Sequence, residues 1–159
     1  MKHPFTISYR SSPLIIPQIW MSRQVPCKIM HTIGAKSPET GGILLGPIGT
    51  SDITDFYFDS TATCTGGTYT PDHLMLQKKM RQEWQPSGVD MKGFAHSHPG
   101  SFDRLSRGDM VYIRRLLEIN ADMSSFAAPI VIPKEFRLQA IVVLRNQPSV
   151  QHATSLRLF

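Results

Sequence analysis

No stretch of this sequence is apolar for long enough to span a bilayer. The longest runs, Gly42 to Leu45 and Ala140 to Leu144, are of strand length, far short of the roughly 20 residues of a membrane helix. The amino terminus, MKHPFTISYR, has no long apolar segment behind its basic start, so no secretory signal is expected. Cysteine is scarce: Cys27 and Cys64 are the only two in 159 residues, and neither lies in a CxxC pair. That excludes a disulfide scaffold and a thiolate zinc knuckle, and leads us to expect two reduced thiols in a cytoplasmic protein. Internal repeats and low-complexity linkers are missing too, so one domain over residues 1–159 is expected, a usual length for one core.

Acidic residues are in deficit, with 12 Asp and Glu against 17 Lys and Arg and a net charge of +5. A basic balance can mark a nucleic-acid partner. Here the positive charge is scattered, and its densest groups, Lys78-Lys79-Met80-Arg81 and Arg114-Arg115, fall in helix-like segments. Solvated helix faces account for them, and neither nucleic acid nor membrane is an expected partner.

What is present is a mixture of strand and helix periodicities. Phe5, Ile7 and Tyr9 alternate with polar residues as in a half-buried strand. Leu14 to Ile16 reads as a second short strand ended by Pro17. Residues 17–34 are helical but interrupted at Pro26, which a helix tolerates only in its first turn or at a kink; Val25, Ile29, Met30 and Ile33 would face inward and Gly34 would end the segment. Gly41 to Gly46 reads as a buried strand and Ile53 to Phe58 as the next. The Thr- and Gly-rich residues 60–70 read as a loop. Pro71 to Trp84 predicts a helix with Leu74, Met75, Met80 and Trp84 as apolar contacts, stopped by Pro86-Ser87-Gly88. Met91 to His98 predicts a strand, and Ser106 to Asn120 a helix with Met110, Ile113, Leu116 and Leu117 on one face. Ala128 to Ile132 and Leu138 to Leu144 predict two late strands. Trp20 and Trp84 are expected as core anchors, with Trp84 also placed to flank a groove. The order of elements implies an α+β fold with a mixed, mostly antiparallel sheet flanked by helices.

The informative segment runs from His96 to Asp109. Residues two apart on a strand share a face, so His96 and His98 can set two imidazoles side by side. Pro99-Gly100 turns the chain away, and Ser106 and Asp109, three apart, share a face at the start of a helix. Two His and one carboxylate leave a fourth position open for water, which marks a catalytic rather than a structural zinc site. Such a site also needs a carboxylate to move the water's proton and a donor for the oxyanion; Ser106 suits the second role. Taken singly, Ser106-x-x-Asp109 also fits a helix N-cap. The remaining histidines, His3, His31, His73 and His152, have no such partners and are expected to be surface or satisfied groups.

This pattern resembles the JAB/MPN (JAMM) zinc metallopeptidases. Those carry an early Glu, then H-S/T-H, seven residues, Ser, two residues and Asp. Here His96-Ser97-His98 is followed by Pro99 to Leu105, then Ser106, Arg107-Gly108 and Asp109. The run from Glu39 to Gly46, Glu-Thr-Gly-Gly-Ile-Leu-Leu-Gly, is similar to the Glu segment of bacterial members. The resemblance implies a single MPN/JAB domain with a cytidine-deaminase-like layout and Zn2+ held by His96, His98 and Asp109. It implies Glu39 as general base and Ser106 as oxyanion donor. It further implies cleavage of a ubiquitin-like protein or conjugated protein C-terminal tail from its target, beside E1- and E2-like enzymes in a bacterial conjugation or anti-phage system. Residues 60–70 and 86–90 are the candidates for tail contacts, with the tail docking as an added strand. The rivals are a noncatalytic MPN scaffold, which typically lacks metal ligands that this chain has, and a DNA-repair type of relative, whose H-N-H-P-S-G differs from His96-Ser97-His98-Pro99-Gly100-Ser101.

Overall fold

The computed structural model describes residues 13–35, 39–65 and 68–159. In chain order these form β1 (Ile19–Met21), α1 (Gln24–Thr32), β2 (Gly41–Pro47), β3 (Asp55–Phe58), the hairpin β4 (Thr63–Thr65) and β5 (Thr68–Thr70), α2 (His73–Lys79), β6 (Val89–Ser97) and α3 (Arg107–Ile119). Then follow β7 (Ser125–Ala127), β8 (Ile130–Ile132), β9 (Arg137–Gln139), β10 (Ile141–Leu144), β11 (Gln147–Ala153) and β12 (Leu156–Leu158).

Eight strands make the main sheet, in the order β11-β10-β7-β6-β2-β3, with β8 also pairing to β6 and β9 lying beyond β8. Only the β6–β7 and β6–β8 pairs are parallel; the rest are antiparallel. The sheet is thus mixed and mostly antiparallel, as the order of elements predicts. Its central strands are buried on both faces, which is why Ile43-Leu44-Leu45 and Ile141-Val142-Val143 read as unbroken apolar runs. Leu44, Ala95 and Val142 pack on one face with Val25 and Ile29 of α1 and its C-cap Ile33. Ile43, Phe94, Ile141 and Val143 pack on the other with Ile113 and Leu117 of α3. Pro26 sits in the first turn of α1, where its missing N–H costs no helical bond. Of the four inward positions predicted for that helix, Val25, Ile29 and Ile33 are fully buried and Met30 is half-buried.

β7 and β8 share one edge of β6. Gly93 pairs with Ala127, whereas His96 and Ser97 pair with Ile130 and Val131. A Cβ on Gly93 would stand 1.8 Å from the Ala127 carbonyl oxygen, so only glycine lets β7 approach here. The β2–β6 register shifts between Leu44 and Leu45, which face Gly93 and Met91, leaving Lys92 as the extra residue of a bulge.

Several expectations need correction. Leu14 to Ile16 is not a strand; the strand lies at β1, pairing in parallel with β12. The alternation at Phe5 to Tyr9 lies outside the described residues. Residues 60–70 are not simply a loop, since β4 and β5 pair antiparallel there. The helix after Pro71 holds α-geometry only over α2, widens into a π turn at Met80–Trp84 and closes with a 3-10 turn at Gln85–Ser87. Leu74 is 81% exposed rather than an apolar contact. Trp84 meets Tyr57 edge-on at 5.3 Å, but Trp20 is no core anchor: Ile19 and Met21 point inward, so the residue between them points out. The strand predicted at Ala128 to Ile132 is β8 alone, with β7 before it unannounced; the one predicted at Leu138 to Leu144 is two, split at Ala140; and β11 and β12 follow unannounced. Cys27 and Cys64 are free, and among the described residues no helix is long and apolar enough to cross a membrane.

Candidate metal centre

Beyond the bulge at Lys92, Phe94 lies on the α3 side of the sheet and His96, two residues on, shares that side; His98 follows just past the end of the strand. Backbone bonds hold this segment on both sides. Ser97 N–H donates to the Thr40 carbonyl at 2.9 Å, and His98 N–H to that of Val131 at 3.0 Å. Both histidines are buried, and their Nε2 atoms stand 2.7 Å apart. His98 Nδ1 donates to the Phe102 carbonyl at 3.2 Å, which fixes the tautomer and leaves Nε2 bare. His96 Nδ1 is buried without a partner.

The carboxylate arrives from another element. Ser106 is the N-cap of α3 and forms a capping box with Asp109. Asp109 N–H donates to Ser106 Oγ at 3.1 Å, and Ser106 N–H donates to Asp109 Oδ2 at 2.7 Å. That same Oδ2 lies 3.4 Å from His96 Nε2 and 3.6 Å from His98 Nε2. Burial on its own would raise the Asp109 pKa, but the contacts with His96, His98 and Ser106 outweigh it and hold the carboxyl well below its usual range. Capping and metal-ligand geometry therefore coexist in one residue pair.

The distances are compatible with all three atoms sharing one ion. Both carboxylate–imidazole separations exceed the 2.7–3.2 Å of good N–H···O bonds. A triangle with sides 2.7, 3.4 and 3.6 Å has a circumscribed radius of about 1.9 Å, just inside the roughly 2.0–2.2 Å of zinc–nitrogen and zinc–oxygen bonds. His96, His98 and Asp109 would together hold one ion. Two imidazoles and a carboxylate form a donor set that suits zinc, and His96, His98 and Asp109 are the group able to hold a metal among the described residues.

Glu39 and Ser106 line a cleft of about 200 Å³ with Asp109, Gly108, Tyr69, His73, Phe94 and Tyr112. Glu39 leads into β2, whose Gly41 pairs with His96. Glu39 is a buried residue, and its pKa is raised by desolvation, against the pull of His98 and His96 and with a push from Asp109. All five residues picked out in the sequence thus meet at one place. A larger groove of about 530 Å³, lined by Ile48, Lys92 and Asn120 among others, contains none of them.

Sequence reading missed the support. Tyr69 stacks on His96, with ring centroids 6.1 Å apart and planes 19° apart, and Phe102 stacks on His98 at 5.3 Å and 18°. A Cβ on Gly41 would stand 2.7 Å from the Tyr69 ring, so the glycine makes room for the stack. Tyr69 OH donates to the buried carboxylate of Asp59 at 3.2 Å, which also accepts from Thr61 Oγ1 and Asp72 N–H. The alternation Thr68-Tyr69-Thr70 was the available signal, hidden by the surrounding glycines and threonines. Of the remaining histidines, His73 is exposed and its Nδ1 meets Tyr112 OH at 3.3 Å on the cleft wall, a surface and satisfied group as expected, whereas His152 needs revision, because its Nε2 is buried without a partner. Trp84 does not line the cleft. Of the two segments proposed for tail contacts, Tyr69 and Thr70 reach it, whereas Asp90 lies at the other end of β6 and lines the larger groove.

No protein-family model matches the chain, and a search of curated proteins also finds no match. Solved structures do match. AF2198, a JAB1/MPN domain protein from Archaeoglobus fulgidus, is similar with a TM-score of 0.51 and 15% identity, over 88% of this chain and 98% of that one. The fold is that of a JAB1/MPN domain. The solution structure of DSY2949 from Desulfitobacterium hafniense is also similar, with a TM-score of 0.61 and 20% identity, over 89% of this chain and 93% of that one. On this fold the chain sets a His–His–Asp group able to hold a metal ion.

Proposed function

We propose that the chain is a zinc-dependent isopeptidase or peptidase that removes or trims a ubiquitin-like protein tail, or a conjugated protein C-terminus, in a bacterial conjugation or antiviral system. The observation that carries the catalytic part is the convergence of three ligand atoms on one point, beside a cleft that Asp109 lines together with Glu39 and Ser106. The tail, the conjugating enzymes and the cellular setting rest on the sequence resemblance.

When bound, the ion supplies Lewis acidity and lowers the pKa of a coordinated water to about 7. Glu39 takes a proton from the attacking water and returns it to the leaving amine. Burial raises its pKa, bringing the carboxylate's basicity closer to neutral pH, where a general base works best. Ser106 Oγ uses a lone pair to accept from Asp109 N–H, which leaves its hydroxyl proton to stabilise charge on the scissile carbonyl oxygen. An extended tail would reach the cleft along β5, whose Tyr69 and Thr70 line it, in the manner of an added strand.

Elemental analysis of the purified protein should find about one zinc per chain. Cleavage of a ubiquitin-like fusion should stop on addition of chelator and return with zinc. Glu39→Ala should abolish cleavage with metal retained; loss of metal in that variant would make Glu39 a ligand. Zinc bound by the wild type without cleavage of any tail would point to a noncatalytic MPN scaffold.

A further inference from the structure

Of the three metal-ligand side chains, two come from β6 and the residue just after it, whereas Asp109 comes from α3, and its place depends on how the start of α3 is tied to the sheet. The residue before the N-cap, Leu105, is buried with Ile113 and Leu117 on the α3 face of the sheet. Its backbone is gripped by one side chain of β11. Leu105 N–H donates to Gln151 Oε1 at 2.7 Å, and Gln151 Nε2 donates to the Leu105 carbonyl at 3.1 Å. The two bonds run in opposite directions, so only this orientation of the amide satisfies both. Gln151 itself is fixed in register opposite Val143 of β10. A side-chain amide therefore takes the part of a neighbouring strand for one residue, where no strand is present.

We propose that Gln151 is a positioning residue for the metal centre. It does not reach the cleft. It fixes Leu105, the next residue is the cap Ser106, and the capping box then sets the Asp109 carboxylate opposite the two imidazoles. The part of this role that concerns metal rests on the function proposed above; the placement of Asp109 does not.

The test compares the wild type with Gln151→Met, which keeps the unbranched length and removes both bonds, and with Gln151→Glu, which keeps the acceptor for Leu105 N–H and loses the donor. Affinity for Co2+ and Zn2+ is read by chelator competition and by the visible absorption of bound Co2+. Amide hydrogen exchange is read at Leu105, Asp109 and His98. In Gln151→Met, metal affinity should fall about tenfold, the lower end of the usual cost of removing outer-shell support. Exchange should speed up at Leu105 and Asp109 and stay unchanged at His98, whose N–H is held by β8. Gln151→Glu should fall between the two in protection of Leu105. Should Gln151→Met fail to fold, Gln151→Glu against wild type carries the same comparison. Unchanged affinity together with unchanged exchange at Asp109 would overturn the proposal. A wild type that binds no metal would sink the proposed function instead, and faster exchange at Asp109 in the variant would still support the positioning role.

Discussion

The metal centre has two sides that are built differently. The imidazole side belongs to a strand bonded to neighbours on both edges: His96 lies opposite Gly41 of β2 and Ile130 of β8, and the two rings are 1% and 3% exposed. The carboxylate side is the first turn of a helix, where Asp109 is 15% exposed. Its position comes from a cap, a buried leucine and one glutamine amide. Backbone ladders place the first pair whatever the neighbouring side chains are. The third ligand is placed by side chains, so its geometry is easier to alter by substitution without unfolding the protein.

Removing a ligand tests the centre as a whole and should have the largest effect. His98→Ala should lose both metal and cleavage, because two remaining donors cannot hold an ion against water as three can. Metal retained at one per chain would mean that the three atoms are not a shared site. Next in size is a change on the imidazole side that touches no ligand. Gly41→Ala puts a methyl group into the Tyr69 ring, which must then leave its stack on His96. Overpacking of this kind costs about 1–3 kcal/mol, to be measured by urea unfolding with chelator present. A cost near zero would show that the stack is loose and the imidazole side less rigid than its ladders suggest.

Ser106→Ala probes the carboxylate side. Loss of an N-cap costs about 1 kcal/mol, smaller than the clash at Gly41. Yet Asp109 loses the hydroxyl that accepts its N–H, so metal affinity should drop more than the stability change suggests. The reverse pattern, a large stability loss with affinity intact, would mean that Asp109 is placed by something other than its cap.

The same division explains what could be read from the sequence. The ligands, Glu39 and Ser106 were legible because strand and helix periods act over two or three residues: His96-x-His98 needs only a strand, and Ser106-x-x-Asp109 only a helix start. The two-faced burial of Gly41–Pro47 and Ile141–Leu144 was legible as apolar runs. Tyr69, Asp59 and Gln151 were not, because their value comes from partners 27, 13 and 46 residues away, His96, Asp72 and Leu105. No local period records such a pairing. β11 escaped for a related reason. It is an edge strand whose residues are exposed or half-buried, so it lacks the alternation that marks a strand with one buried face.

The smallest effect should separate the two sides by their protons. Each has one tyrosine, Tyr69 buried against His96 and Tyr112 half-buried on α3. Burial and the Asp59 carboxylate push Tyr112 up to about 12. The same two causes, with the hydrogen bond to Asp59 added, raise Tyr69 further above the ordinary range. Both phenols keep their protons in the folded state at a pH where an unfolded tyrosine, with a pKa of about 10, has lost its own. The stability they contribute is therefore complete below about pH 10 and is lost as pH rises from there toward the folded pKa values. In an absorbance titration of tyrosinate, Tyr112→Phe should remove a step near pH 12, whereas Tyr69→Phe should remove none until the protein unfolds. If Tyr69 ionised first with the fold intact, the hairpin side would be the one open to water, and the helix tip, despite its reliance on side chains, the tighter half of the centre.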